Sequence, residues 1–162
     1  MTKKEIRYVT LIKENENLIY KVASLYTSSR ENREDLMQEI AYQIWKSFDS
    51  FQGKSAQSTW MYRIALNTAI QYLKKEKRSI PKTELLTIAS FKEETHLDDL
   101  DEELKNLMSA IQKLKQLDKG IVLLSLEGKS HKEIASITEL SVSNVGTRMQ
   151  RIKKRLKEEL EK

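Results

Sequence analysis

Residues 60 to 74 carry side chains suited to stacking, hydrogen bonding and attraction of anions, at a spacing that would align them. In a helix that turns by about 100° per residue, residues 58–74 would have one polar side. That side would carry Trp60, Arg63, Asn67, Gln71 and Lys74. The other side would be apolar and buried, with Tyr62, Ala65, Leu66, Ala69 and Leu73. We therefore expect the polar stripe, including Trp60, to be an exposed binding surface.

Residues 128–156 show the pattern of a helix-turn-helix. Ser130 and Glu133 have the spacing of a capping box, and Ser141 is the candidate cap of the next helix. Apolar residues then recur at spacings of four and three, which predicts a buried stripe of Val145, Met149, Ile152, Leu156 and Leu160. The side facing away holds short polar groups first and cations later: Ser143, Thr147, Gln150, Arg151 and Lys154. This order is typical of a DNA recognition helix, and a purely structural helical hairpin is the alternative.

Helical periodicity and a single proline predict an all-α fold of two small helical domains joined by a flexible acidic linker. We expect the first domain over 1–78, the linker over 79–100 and the helix-turn-helix domain over 101–162. In the first domain, one predicted helix has an apolar face of Leu36, Met37, Ile40, Ala41, Ile44 and Phe48. Its opposite face holds Asp35, Gln38, Glu39, Tyr42 and Lys46. Upstream, another helical pattern comprises Leu18, Ile19, Val22, Leu25 and Tyr26.

Composition excludes several classes of site. Cysteine is absent, so disulfides, zinc thiolate sites and cysteine nucleophiles are impossible. Two histidines and four glycines provide neither a metal motif nor a phosphate-binding loop, and we expect no metal, no cofactor and no catalytic residues. A small helical enzyme therefore has little support. No apolar run is long enough to span a membrane, so we expect a soluble cytoplasmic protein. The net charge of +5 suits a polyanionic partner, although solvated helices are also rich in lysine.

At this point the chain resembles the extracytoplasmic-function (ECF) class of bacterial RNA polymerase sigma factors. The segments EDLMQE and DSFQGKSAQSTWMYRIALNTAIQYLKK resemble region 2 of that family, which docks on polymerase and melts and reads the minus-ten element. The segments EGKSHKEIA and LSVSNVGTRMQRIKKRL resemble region 4, which reads the minus-thirty-five element. Two motifs in the right order are more specific than either alone.

The resemblance implies a role for each candidate residue. The residues that would dock on the clamp helices of the largest polymerase subunit are Asp35, Gln38, Glu39 and Tyr42. Contact with the minus-ten element falls to Phe51, Gly53, Lys54, Ser55, Trp60, Arg63, Asn67, Gln71, Lys74, Lys75 and Arg78. Contact with the minus-thirty-five element falls to Ser143, Asn144, Thr147, Arg148, Gln150, Arg151 and Lys154. Without the resemblance, Asp35 and Glu39 would form a solvated face, or Asp35 would interact with the helix dipole. The alternative for the α-helical stripe is that Trp60 is a core residue at the domain edge and that the lysines form a solvated helix end.

The implied function is an initiation factor that binds core RNA polymerase, gives it promoter specificity and helps open DNA. Its partners would be core polymerase, promoter DNA as duplex and as melted nontemplate strand, and an anti-sigma factor. The alternative is a helix-turn-helix regulator whose first domain senses a signal or dimerises.

The chain departs from the family pattern at three positions. Glu139 replaces a frequent glycine before the recognition helix, so the turn must form without a residue that takes positive φ cheaply. Gly146 replaces a common basic residue. Leu114 and Lys115 replace a frequent Leu-Pro, and we expect a helix to continue through them.

Overall fold

A computed structural model describes residues 1–51, 53, 56–79 and 101–162, without the side chains of 76–79. The chain divides into two compact units, residues 1–92 and 93–162. Every regular element that the structure describes is helical, which confirms the predicted all-α fold. Apart from Ser79, the predicted linker over 79–100 lies outside the described residues, and the predicted domain boundaries remain predictions.

The first unit contains four α-helices and a short 3-10 turn within its described part. These are α1 (Lys3–Glu14), α2 (Glu16–Tyr26), α3 (Arg30–Ser47), the turn Phe48–Ser50 and α4 (Gln57–Ser79). Helix α1 begins with a capping box between Thr2 and Glu5, and Ser29 caps α3 by accepting from the Asn32 backbone N–H. These caps satisfy backbone donors that the first helical turn leaves unpaired.

Helices α2, α3 and α4 pack against one another and form the core of the first unit. Leu36, Ile40 and Ile44 of α3 are completely buried, as their spacing predicts. The facing helices contribute further completely buried residues: Val22, Ala23, Met61, Ala65 and Ala69. The small side chains on α4 allow its backbone to approach the larger residues of α3.

Helix α1 is held by polar and aromatic contacts more than by a broad apolar face. The Tyr8 hydroxyl donates to the Ala41 carbonyl at 2.6 Å, and its ring meets Trp45 edge-on with centroids 5.0 Å apart. The Lys4 ammonium lies 4.2 Å from the Trp45 ring centroid and 2.7 Å from the Asp49 carboxylate. Burial raises the pKa of Tyr8, so its hydroxyl keeps the proton that it donates. The helical pattern predicted upstream begins at Leu18, so α1 is an addition to the prediction.

The second unit is built around its last helix. Its helices are α5 (Glu102–Gln112), α6 (Gln116–Leu126), α7 (His131–Thr138) and α8 (Val142–Leu160). Helix α8 packs against all three others. Val145, Met149 and Ile152 are buried as predicted, but Leu156 is only half-buried and Leu160 is 47% exposed. The predicted buried stripe is therefore too long: full burial along α8 ends at Ile152.

Two turns differ from expectation. The predicted continuous helix through Leu114 and Lys115 is wrong, because α5 ends at Gln112 and α6 starts at Gln116. Leu114 turns inward, with 6% of its surface exposed, and Lys115 is extended with φ of −62°. Since a proline ring fixes φ near −65°, lysine here adopts the conformation that the family's frequent proline would impose. Before α8, Glu139 takes the left-handed conformation itself, with φ of 62°.

Candidate functional site

The polar face of α3 is exposed along two turns. Asp35, Gln38, Glu39 and Tyr42 all lie at the surface, as their spacing opposite the core predicts. The Tyr72 hydroxyl donates to the Asp35 carboxylate at 3.3 Å, and the Gln43 amide donates to Glu39 at 3.1 Å. Tyr42 is 54% exposed. Such a face offers two carboxylates and one aromatic ring to a partner.

The polar stripe of α4 is exposed over its later turns. Asn67, Gln71 and Lys74 are exposed, and so is Lys75 beside them. Arg63, earlier on the stripe, is half-buried. The opposite side is buried at Tyr62, Ala65, Leu66 and Ala69 and half-buried at Leu73. This part of α4 presents amide and ammonium groups on a rigid scaffold.

Trp60 is not exposed, contrary to the prediction. It is 9% exposed, and its ring packs against Phe51 with centroids 4.8 Å apart and planes inclined by 36°. Phe51 precedes α4, so it covers a side chain that helical periodicity alone places on the polar side. Phe51 itself is half-exposed and is therefore the more accessible of the two rings.

The loop before α4 is described only in part. Gly53 is exposed and has φ of +69°, a conformation in which any other residue would be strained. Lys54 and Ser55 lie outside the described residues, as does the side chain of Arg78.

Most of the predicted contact residues of α8 form one exposed surface. Ser143, Asn144, Thr147, Gln150, Arg151 and Lys154 are all exposed. The capping box at Ser130 and the Ser141 cap that start α7 and α8 are both present, as predicted. The Ser130 backbone N–H and hydroxyl, and secondarily Lys129, lower the pKa of the Glu133 carboxyl. Gly146 is half-buried, and a Cβ placed there would lie 3.9 Å from Nδ1 of His131.

Arg148 differs from the other predicted contact residues of α8 because it turns toward α6. Its Nη1 lies 3.1 Å from the Asp118 carboxylate, and its Nε donates to the Asn144 side-chain oxygen at 3.0 Å. The side chains of Arg148 and Asp118 are 29% and 16% exposed. Asp118 was not predicted as a functional residue, because local sequence patterns do not pair residues on separate helices.

The described ranges of the chain contain neither a cluster of metal ligands nor a membrane-spanning helix. No cluster of three His, Asp or Glu residues there could hold a metal ion. No helix there is long and apolar enough to cross a membrane.

Comparison with known proteins identifies the family. The family model for sigma-70 region 2 matches residues 11–79, and that for sigma-70 region 4 matches residues 104–156. The ECF RNA polymerase sigma-E factor of Haemophilus influenzae is 34% identical over 155 aligned residues, covering 87% of this chain and 82% of that protein. The chain belongs to the ECF sigma factors. The Escherichia coli K12 sigma-E factor is also 34% identical, over 144 residues that cover 80% of this sigma factor and 75% of its relative.

Solved structures support the fold. The sigma factor RpoE in complex with the anti-sigma factor NepR, from Bartonella quintana, has a TM-score of 0.71 at 21% identity, covering 96% of this sigma factor and 97% of that chain. CnrH in complex with the cytosolic domain of CnrY gives a TM-score of 0.68 at 21% identity, covering 97% and 89%.

The chain is thus a sigma factor that directs promoter-specific transcription initiation, with core RNA polymerase and promoter DNA as its partners. This confirms the predicted function. A regulator with a sensing or dimerisation domain is not favoured, because residues 11–79 match the sigma region 2 family.

Proposed function

We propose that three exposed surfaces divide the work of initiation in this sigma factor. The α3 face of Asp35, Gln38, Glu39 and Tyr42 docks on the clamp helices of the largest polymerase subunit. The α4 stripe, with the preceding loop, reads and opens the minus-ten element, and the exposed side of α8 reads the minus-thirty-five element. The observation that carries the proposal is that each surface lies opposite a buried face of its own helix. Each can therefore meet a partner without disturbing the core.

The docking proposal predicts a loss of affinity without a loss of folding. The combined change of Asp35, Gln38 and Glu39 to alanine should weaken binding to core polymerase, because truncating interface residues costs binding while exposed substitutions rarely unfold a protein. A matched control changes Glu14 and Glu16 to alanine, which also removes two negative charges, but at other exposed positions of the first unit. Affinity is measured by titration with core enzyme, and helix content by circular dichroism. Equal affinities of the two variants would defeat the assignment.

For the minus-ten element, the proposal assigns roles according to exposure. Asn67, Gln71 and Lys74 meet the nontemplate strand, while Phe51 offers an aromatic ring to an unpaired base and Trp60 supports Phe51 from beneath. Aromatic stacking contributes about 1–3 kcal/mol per base, and it becomes available only after a base leaves the duplex. Three further cations add positive charge to this surface: Arg63, Lys75 and Arg78. The loop before α4, with Gly53, Lys54 and Ser55, holds a base that has left the duplex.

Run-off transcription on duplex and pre-melted promoters tests this division. Phe51→Ala should slow initiation on duplex promoters, and pre-melted templates should restore much of it because they supply the opening energy. Asn67→Ala should instead change the minus-ten preference on both templates. Equal defects of Phe51→Ala on both templates would place the melting role elsewhere.

We also propose a regulatory partner and a cellular location for this sigma factor. Because the solved RpoE structure described above is a complex with the anti-sigma factor NepR, we include an anti-sigma factor among the partners. Its signature would be a protein that copurifies with the sigma factor from native cells and is displaced by core polymerase. We further place the protein in the cytoplasm, with the chemistry of RNA synthesis left to the polymerase, on the support of its sigma-E relatives.

A further inference from the structure

A chain of polar contacts joins α6 to the exposed start of α8. Asp118 lies in the first turn of α6 and accepts a hydrogen bond from Nη1 of Arg148 at 3.1 Å. The same guanidinium donates through Nε to Oδ1 of Asn144 at 3.0 Å. Arg148 and Asp118 are largely covered, whereas Asn144 is exposed and is the third residue of α8. These polar contacts therefore connect a half-buried ion pair to the part of a recognition helix that meets base edges.

The chemistry of arginine fixes the orientation of the asparagine amide. A guanidinium has only donors, so the atom of Asn144 that faces Nε must be the oxygen. The amide nitrogen then points away from Arg148, and it has no hydrogen-bond partner among the described residues. Asn144 thus carries an outward donor held in place by an ion pair on the protein side.

We propose that Asp118 and Arg148 are positioning residues for promoter specificity, which hold Asn144 as a hydrogen-bond donor toward DNA. The inference rests on the proposed reading of the minus-thirty-five element by α8. Bidentate reading of adenine needs both ends of an asparagine amide at the base edge, whereas guanine presents two acceptors, N7 and O6. With its oxygen held on Arg148, Asn144 favours a base rich in acceptors, guanine first, over adenine.

The same contacts assign Arg148 a role inside the protein and not on a phosphate. Its charge is balanced by Asp118 at 3.1 Å, so it releases few counterions when DNA binds. Lys154, exposed on the same helix, is the matched cation whose charge is open to DNA. The two residues should therefore differ in their contribution to the salt dependence of binding.

The first experiment measures base preference with the full-length protein in holoenzyme. Transcripts are sequenced from a promoter library randomised across the minus-thirty-five element, and guanine-to-adenine ratios are compared at each position. Arg148→Met should lower that ratio by about fivefold at one position, because the freed amide can turn and read adenine. Asn144→Ala should lower the preference at the same position. Because the ratio compares DNA sequences for one protein sample, it does not change with the fraction folded.

The second experiment measures holoenzyme affinity for a fixed promoter duplex at several salt concentrations. Asp118→Ala should steepen the salt dependence by about one counterion, since it releases the Arg148 charge toward DNA. Arg148→Met should leave the slope unchanged, and Lys154→Ala should reduce it by about one.

The outcomes separate the inference from the proposed function. If Thr147→Ala, Gln150→Ala or Arg151→Ala alters base preference while Arg148→Met keeps the wild-type preference and Asp118→Ala keeps the wild-type salt slope, α8 is the reader and the positioning role is overturned. A lowered melting temperature with unchanged preferences gives the ion pair a structural role only and also overturns the inference. If no α8 variant, Asn144→Ala included, alters preference, the proposed reading by α8 fails and the inference fails with it.

Discussion

At the scale of single residues, Trp60 and Phe51 show how a neighbour in the loop changes the role of a helical side chain. Trp60→Ala should lower the free energy of unfolding of the first unit by about 3 kcal/mol, since removing a buried large aromatic leaves a cavity. Asn67→Ala, an exposed change seven residues later on the same helix, should alter it by less than about 0.5 kcal/mol. Urea denaturation followed by circular dichroism measures both. If Trp60→Ala has the free energy of unfolding of the wild type, the Trp60 ring is not part of the core and belongs to the exposed binding stripe.

Glu139 is a second residue whose backbone conformation has a measurable cost. A side chain at positive φ costs roughly 1–2 kcal/mol, which glycine avoids at some expense in unfolded-state entropy. Glu139→Gly should therefore raise the free energy of unfolding of the second unit by up to about 1 kcal/mol. Glu139→Ala is the matched control, because it removes the carboxylate and keeps the strain. If alanine stabilises as much as glycine in thermal unfolding, the side chain and not the backbone is responsible.

Local patterns predicted the residues whose partners lie within one helical turn. Ser130 and Glu133 are three residues apart, and both capping bonds are present in the structure. Trp60 could not be placed correctly, because its cover comes from a loop nine residues earlier and periodicity describes only the helix. The Asp118–Arg148 pair spans 30 residues, so it depends on how two helices pack.

At the scale of elements, the start of α7 should respond to acid. The pKa of Glu133 lies below its ordinary value of 4.5, chiefly because the Ser130 backbone N–H and hydroxyl bond to its carboxylate. A lowered folded-state pKa stabilises the fold above the unfolded-state pKa, and this stabilisation is lost as pH falls through the folded-state value. The free energy of unfolding of the second unit should therefore decrease below about pH 4.5.

The control for this acid response is Glu133→Gln, which retains an acceptor for the Ser130 N–H and cannot ionise. Its stability should fall less with decreasing pH than that of the wild type. Glu159, whose pKa is also lowered by its bonds to Lys113 and Lys162, responds equally in both proteins and cancels in the comparison. If the free energies of unfolding of the two proteins decrease in parallel as pH falls, Glu133 does not contribute to the acid response.

The helices that periodicity predicted correctly are those with a broad apolar face, such as α3 and the first part of α8. Helix α1 has only one buried residue, Leu11, and is anchored instead by the Tyr8 hydroxyl and ring, which periodicity does not detect. The break between α5 and α6 was missed for a related reason. Leu114 keeps the apolar spacing while the backbone at Lys115 leaves the helix, so the hydrophobic pattern continues where the helix does not.

At the scale of the whole molecule, the sequence predicts where a protease should cut first. The stretch between about residues 80 and 101 holds the only proline and most of the acidic run KEETHLDDLDEE. We expect a solvated linker here, and exposed segments with few apolar contacts open most easily, so limited proteolysis should release two fragments that end and begin in this stretch. Mass spectrometry identifies the termini. First cleavage inside residues 33–75, which include most of α3 and of α4, would place the domain boundary elsewhere.

The packing of Trp60 against Phe51 also gives the protein an optical label. Its two tryptophans, Trp45 and Trp60, both belong to the first unit, so the indole fluorescence of the intact protein reports on that unit alone. An indole screened from water emits at shorter wavelength than a solvated one. Stacking of an unpaired base on Phe51 would screen the Trp60 indole further from water and shift its emission to shorter wavelength, and promoter opening could then be timed without an attached dye.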